Sequence, residues 1–94
     1  MRKRRRERQA QYESPTYLRL LSRLASNIRR MRTRNGWTQE EAALRASMAT
    51  QVYQRIEAGS TNVTLTTLSR LCDGFEIDMR ELWRITRTRT RRGG

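Results

Sequence analysis

The sequence predicts an all-α domain, and three observations carry that prediction. Apolar residues recur at helical spacing along most of the middle of the chain, serine, threonine and aspartate stand at the starts of those runs, and glycines or asparagine close several of them. Hydrophobic residues make up 35% of the 94 residues and aromatics only 6%, which suits a small aliphatic core between helices better than a sandwich of sheets.

The elements follow in order. Residues 1–13 read as a basic arm. Ser14-Pro15 then gives an N-cap with proline at the first helical position. Tyr17, Leu18, Leu21, Leu24, Ala25, Ile28 and Met31 recur at helical spacing up to Asn35-Gly36, a stop signal, so the first helix runs roughly six turns. Thr38 with Glu41 forms a capping box that opens a second helix through about Ala46. A break at Ser47-Met48-Ala49 precedes a third helix, Thr50 to Ala58, closed by Gly59. Ser60-Thr61-Asn62 has turn chemistry. Thr64 caps a fourth helix with Leu65, Leu68 and Leu71 facing inward and Gly74 as its stop. Asp78 and Glu81 form a second capping box, opening a last turn or two with Leu82 and Trp83. Residues 84–94 form a second basic tail in which threonine and arginine alternate; both faces are polar, so an unfolded tail is expected. The expected organisation is an arm over 1–13, a domain over 14–83 and a tail over 84–94.

Charge narrows the partner. The chain has 21 basic residues, 9 acidic ones and a formal net charge of +12. Arg2, Lys3, Arg4, Arg5, Arg6 and Arg8 crowd the start, and Arg84, Arg87, Arg89, Arg91 and Arg92 crowd the end, while residues 9–83 hold ten basic and eight acidic side chains. A nearly balanced domain with two cationic arms points to contact with a polyanion, because arginines that neutralise phosphates release counterions and give salt-sensitive affinity.

Other classes are disfavoured. With no histidine and Cys72 as the single cysteine, an internal disulfide and an ordinary zinc site are excluded, so no metal and no cofactor is expected. The usual general base and nucleophile pairs are missing too, and the acids sit at helix caps, so no enzyme is expected. Cys72 lies in an apolar helical pattern and reads as a buried thiol. No run of 18 apolar residues would span a membrane, and no apolar stretch follows the basic start as in a secretory signal. A reducing cytoplasm is the expected setting.

Helix, tight turn and helix from Thr38 to Gly59 have the spacing of a helix-turn-helix unit, in which the first helix crosses the phosphate backbone and the second enters the major groove. Ala42, Ala43 and Ala46 are small enough for two helices to cross closely, with Met48, Tyr53 and Ile56 filling the angle. Within the third helix Thr50, Gln51, Gln54 and Arg55 are the candidate base contacts: glutamine pairs bidentately with adenine and arginine with guanine. Val52 suits a thymine methyl. Gln39, at the amino end of the second helix, is a candidate phosphate contact, with Thr61 and Asn62 as weaker ones and Arg2, Arg4 and Arg5 reaching from the arm.

Over roughly Leu24 to Trp83 the sequence resembles the Cro/cI-type (XRE) helix-turn-helix regulators. The carriers are Ile28-Arg29-Arg30-Met31-Arg32, Gly36-Trp37-Thr38-Gln39-Glu40-Glu41, Gln54-Arg55-Ile56-Glu57-Ala58-Gly59, then Asn62, Leu65, Leu68, Leu71 and Ile77 to Trp83. The resemblance implies a five-helix, lambda-repressor-like DNA-binding domain that binds operators as a dimer. It also implies a structural ion pair between Arg32 and Glu57, and a dimer interface on the last helix at Leu82 and Trp83. The apolar stripe Tyr17, Leu18 and Leu21 is the rival interface. Ser47 and Glu76 stand where the family often has glycine, and Ala49 where it has a capping serine or threonine. Trp37 and Trp83 read as core or interface. A sequence-specific transcriptional regulator, a repressor or a restriction–modification controller, is the leading reading, with double-stranded operator DNA as partner. The alternatives are an antitoxin or adaptor of this fold, whose protein partner would use residues 14–24, and a basic RNA-binding or nucleoid-like protein dominated by its arms.

Overall fold

The structure, a computed structural model, describes residues 13–85. These carry five helices and no strand: α1 (Pro15–Arg34), α2 (Gln39–Arg45), α3 (Thr50–Glu57), α4 (Leu65–Phe75) and α5 (Met79–Leu82). The arginines expected to grip phosphates from the arm, Arg2, Arg4 and Arg5, lie outside the described residues, as does the tail beyond Ile85. No described helix is long and apolar enough to cross a membrane, and among the described residues there is no metal-ligating cluster.

The helix starts follow their caps. The Ser14 hydroxyl accepts from the Tyr17 amide at 3.0 Å with Pro15 at the first helical position. Both halves of the Thr38–Glu41 capping box form, at 3.0 and 2.8 Å. Asp78 caps α5 through the amide of Arg80, at 2.9 Å, rather than by a reciprocal pairing with Glu81.

The helix ends share one solution. In each of α1 to α4 the chain turns into a left-handed residue, and two backbone bonds close the last turn: Trp37 to Arg32 and Gly36 to Thr33, Met48 to Ala43 and Ser47 to Leu44, Ser60 to Arg55 and Gly59 to Ile56, Ile77 to Cys72 and Glu76 to Asp73. This paired closure satisfies carbonyls that the helix leaves open. Gly36 and Gly59 take the left-handed position at no steric cost, but Ser47 and Glu76 occupy it at φ 56° each. A non-glycine residue held there costs about 1–2 kcal/mol, a penalty that glycine at either place would lift.

Two expectations for α4 are corrected. Gly74 does not stop the helix, which continues to Phe75 and turns at Glu76. Instead, a Cβ at Gly74 would lie 2.2 Å from the carbonyl oxygen of Arg45 and 2.8 Å from the Cα of Ala46, so its bare backbone lets α4 lie against the end of α2. Leu65 does not face inward; it is 76% exposed, because the inward stripe is Leu68, Leu71 and Phe75 and the first residue of α4 overhangs it.

The core is built by Leu24, Ile28 and Met31 of α1, Ala42, Ala43 and Ala46 around α2, Tyr53 and Ile56 of α3, Leu68, Leu71 and Phe75 of α4, and Leu82 of α5. The three alanines are 0–1% exposed, which allows the close α2–α3 crossing. Trp37 packs edge-on to Phe75 at 5.1 Å between ring centroids, with the Arg45 guanidinium over its face at 4.2 Å. Cys72 is half-buried, and burial, followed by the charges of Asp73 and Asp78, pushes its thiol up, away from the reactive thiolate. Asn27 is buried, and its side-chain amide donates to the carbonyls of Leu82 and Arg84 at 2.8 and 2.9 Å, fastening the end of α5 to α1.

Candidate nucleic-acid interface

Two faces of α3 have opposite character. Tyr53, Ile56 and Glu57 point into the protein, while Gln51, Val52, Gln54 and Arg55 are exposed and Thr50 is half-buried at the edge. Gln51 and Arg55, four residues apart, stack on the same outward line, with Val52 and Gln54 flanking them. These outward groups include amide and guanidinium donors suited to base edges in a major groove.

The inward face is held through one carboxylate. Glu57 is 3% exposed and accepts from four donors. Arg32 grips it with two nitrogens, Nε to Oε2 and Nη2 to Oε1, the second at 3.2 Å. The Tyr53 hydroxyl donates to Oε2, and Gln39 Nε2 donates to Oε1 at 3.0 Å. Arg32 also donates to the Trp37 carbonyl and Arg29 to the Glu57 carbonyl, both at 3.0 Å, so α1 holds the carboxyl end of α3.

The protonation states fit this geometry. Burial alone would raise the Glu57 carboxyl, yet hydrogen bonds from Arg32, Tyr53 and Gln39 hold it below the usual carboxylate range. Burial, reinforced by the Glu57 hydrogen bond and charge, pushes the Tyr53 phenol far up, so it remains a donor. The hydrogen bond to Glu57 raises Arg32. Carboxylate, phenol and guanidinium keep complementary roles.

Gln39 belongs to this network as well as to the amino end of α2. Its Oε1 accepts from Gln54 Nε2 at 3.1 Å while its Nε2 serves Glu57, so it ties the leading end of α2 to the outward face of α3. Of the other sequence candidates, Thr61 is half-buried and its hydroxyl donates to the Asn62 carbonyl at 3.3 Å. Asn62 lines an apolar groove with Tyr17, Leu21, Val63 and Trp83. Leu82 is 0% exposed within this chain's own core, whereas Trp83 is half-buried and faces that groove. Sequence reasoning missed Asn27, Arg29 and the place of Tyr53 on Glu57; only Tyr53 had a local signal, four residues before the glutamate on one helical face.

At the amino end of α3 the N-cap residue is Ala49, with no side-chain cap hydrogen bond. Thr50 is the first helical residue and does not take its place.

A seven-residue helix, a tight turn and an eight-residue helix with an exposed polar face define a helix-turn-helix DNA-binding protein. The chain belongs to the HTH_3 helix-turn-helix family, whose model matches residues 28–82, a family of DNA-binding transcriptional regulators. It is similar to the restriction-modification controller protein C.AhdI from Aeromonas hydrophila, at 29% identity over 66% of this chain and 94% of that one, with a TM-score of 0.63. It is similar also to the wild-type restriction-modification controller protein C.Esp1396I, at 28% identity over 68% of this chain and 86% of that one, with a TM-score of 0.63. An HTH_3 family transcriptional regulator from Vibrio cholerae shares the fold at 20% identity, over 69% of this chain and 36% of that one, with a TM-score of 0.66. No curated protein sequence matches the chain.

Proposed function

We propose that this chain is a dimeric, sequence-specific regulator of the controller or repressor type, acting in the cytoplasm, that reads the major groove of an operator with α3. The observation that carries this is the pairing of Gln51 and Arg55 on one exposed line of a helix whose other face is locked to the domain through Glu57. Gln51 and Arg55 read bases; Thr50, Gln54 and Val52 border them. Gln39, Thr61, Asn62 and the arm arginines Arg2, Arg4 and Arg5 contact phosphates. Similarity to two restriction-modification controllers over most of their lengths supports the controller reading.

One α3 reads too few bases for useful specificity, so two copies act together on half-sites about 34 Å apart. Trp83 supplies the surface for the second copy, with Leu20 and Leu21 beside it. Leu82 supports that interface from within, since its own surface is already buried. Selection of bound duplexes from a random pool tests the reading. It is expected to return a two-fold-symmetric pair of half-sites about one helical turn apart, and single half-sites with Trp83→Glu. Enrichment of no sequence at all would overturn it.

A further inference from the structure

The near balance of charge over the domain averages two unlike halves. α1 carries six arginines, Arg19, Arg23, Arg29, Arg30, Arg32 and Arg34, and no carboxylate. Residues 38–83 carry four arginines against seven carboxylates. Arg29 and Arg32 are spent on Glu57 and the turn before α2. Arg19, Arg23 and Arg30 are not. They line one groove with Ser22, Ser26 and Ile85, and no carboxylate is among its described lining residues. The ion pairs among the described residues, Arg32–Glu57 and Arg80–Asp78, leave all three without an acidic partner.

This groove is partly fixed in place. Asn27 is 1% exposed; while its amide holds the carbonyls of Leu82 and Arg84, its Oδ1 accepts from Arg30 Nη2 at 2.9 Å. One buried side chain therefore sets both a wall of the groove and the point where the chain leaves it. The sequence that follows carries Arg87, Arg89, Arg91 and Arg92, of the same sign as the groove and unable to neutralise it. A groove of this charge suits an anion.

Its form follows from spacing. Arg19 and Arg30 are separated by roughly 16 Å along the axis at ~1.5 Å per residue, a length over which a duplex presents about five phosphates per strand. Guanidinium groups with serine hydroxyls between them are a phosphate-binding set. The stripe lies roughly a third of the way round α1 from Ala25 and Arg29, the side that meets α3 and its following turn, at ~100° per residue. Among the described residues, none of α3 lines the groove. Arg19 and Arg23 also precede residue 28, where the family match begins, and about a third of this chain lies outside its match to the controllers.

We infer that the Arg19–Arg23–Arg30 face of α1 is a second phosphodiester-binding surface, which holds a stretch of duplex DNA other than the one under α3, so that the bound protein tethers two duplexes. This goes beyond operator reading and rests on the proposed binding of a first duplex by α3, though not on which bases α3 selects.

The test uses the full chain, an immobilised duplex bearing the selected site and a labelled random duplex in solution. The wild-type protein is expected to capture the second duplex. Arg19→Gln/Arg23→Gln is expected to keep its melting temperature and its site affinity while capture falls and the salt slope of capture becomes shallower by about 2, at ~0.9 per phosphate contact. Arg19→Lys/Arg23→Lys is expected to restore capture, and the single Arg19→Gln to give about half the slope change should the double variant fold poorly. Undiminished capture by the glutamine variants would assign tethering to the arms and overturn the inference. So would loss of site affinity with capture, which would place the stripe on the operator itself. Absence of capture by the wild type would overturn it as well.

Discussion

The two ends of α3 are built on opposite principles. At its carboxyl end a buried glutamate gathers donors from Arg32, Tyr53 and Gln39, and Arg29 holds its carbonyl. At its amino end Ala49 offers no capping oxygen, and Gln51 and Val52 stand exposed. The helix is gripped at its carboxyl end and uncapped at its amino end, while its exposed polar side chains, Gln51 and Arg55 among them, run along the outward face of both. On the proposed reading rigidity and readout fall to different faces of α3, so a substitution on one face should leave the property of the other nearly intact.

The largest expected effect is at the gripped end. Glu57→Ala leaves the Arg32 charge and the Tyr53 hydroxyl without their acceptor, and breaking a buried pair from one side costs about 3–5 kcal/mol. Urea denaturation should show a loss of that order, and a loss below about 1 kcal/mol would mean that the network does not hold α3. Acid should act on the same group. The folded-state pKa of Glu57 lies below its ordinary value, so on acidification the unfolded chain takes up the proton first. Its contribution is complete above about pH 4.5 and is lost as pH falls through the lowered folded value. Glu57→Gln should flatten that acid limb; an unaltered limb would assign it to other carboxylates.

The open end predicts a smaller change of opposite sign. Ala49→Ser supplies the missing N-cap oxygen and should stabilise the fold by about 1 kcal/mol in thermal melts. No gain would show that the first-turn amides of α3 already have partners.

What the sequence disclosed and what it concealed divide along similar lines. Caps and stops are local, so Ser14-Pro15, Thr38–Glu41, Gly36 and Gly59 located the ends of α1, α2 and α3 closely. The glutamate network is not local. Arg32 and Gln39 lie 25 and 18 residues from Glu57, and only the family resemblance joined Arg32 to it; Gln39 had no such pointer. Asn27 meets Leu82 across 55 residues, a pairing no helical period encodes. Gly74 misled because a glycine inside a helical pattern reads as a stop when its work is steric, against Arg45 of another helix. Leu65 misled because spacing alone places it beside Leu68, whereas burial also needs a neighbour above the first turn of α4. The arginine stripe of α1 was hidden by a sum over the whole domain, and only counting α1 apart from residues 38–83, which hold seven carboxylates, exposes it.

The smallest effect on folding and the clearest effect on function should come from Arg55. It is exposed, so Arg55→Ala should change stability by less than about 0.5 kcal/mol. If α3 reads bases through its outward line, repeating the selection of random duplexes with this variant should relax the preference at one position in each half-site, by about 1–3 kcal/mol of discrimination. Selection of the same sites with the same stringency would contradict the assignment of α3 as the reader.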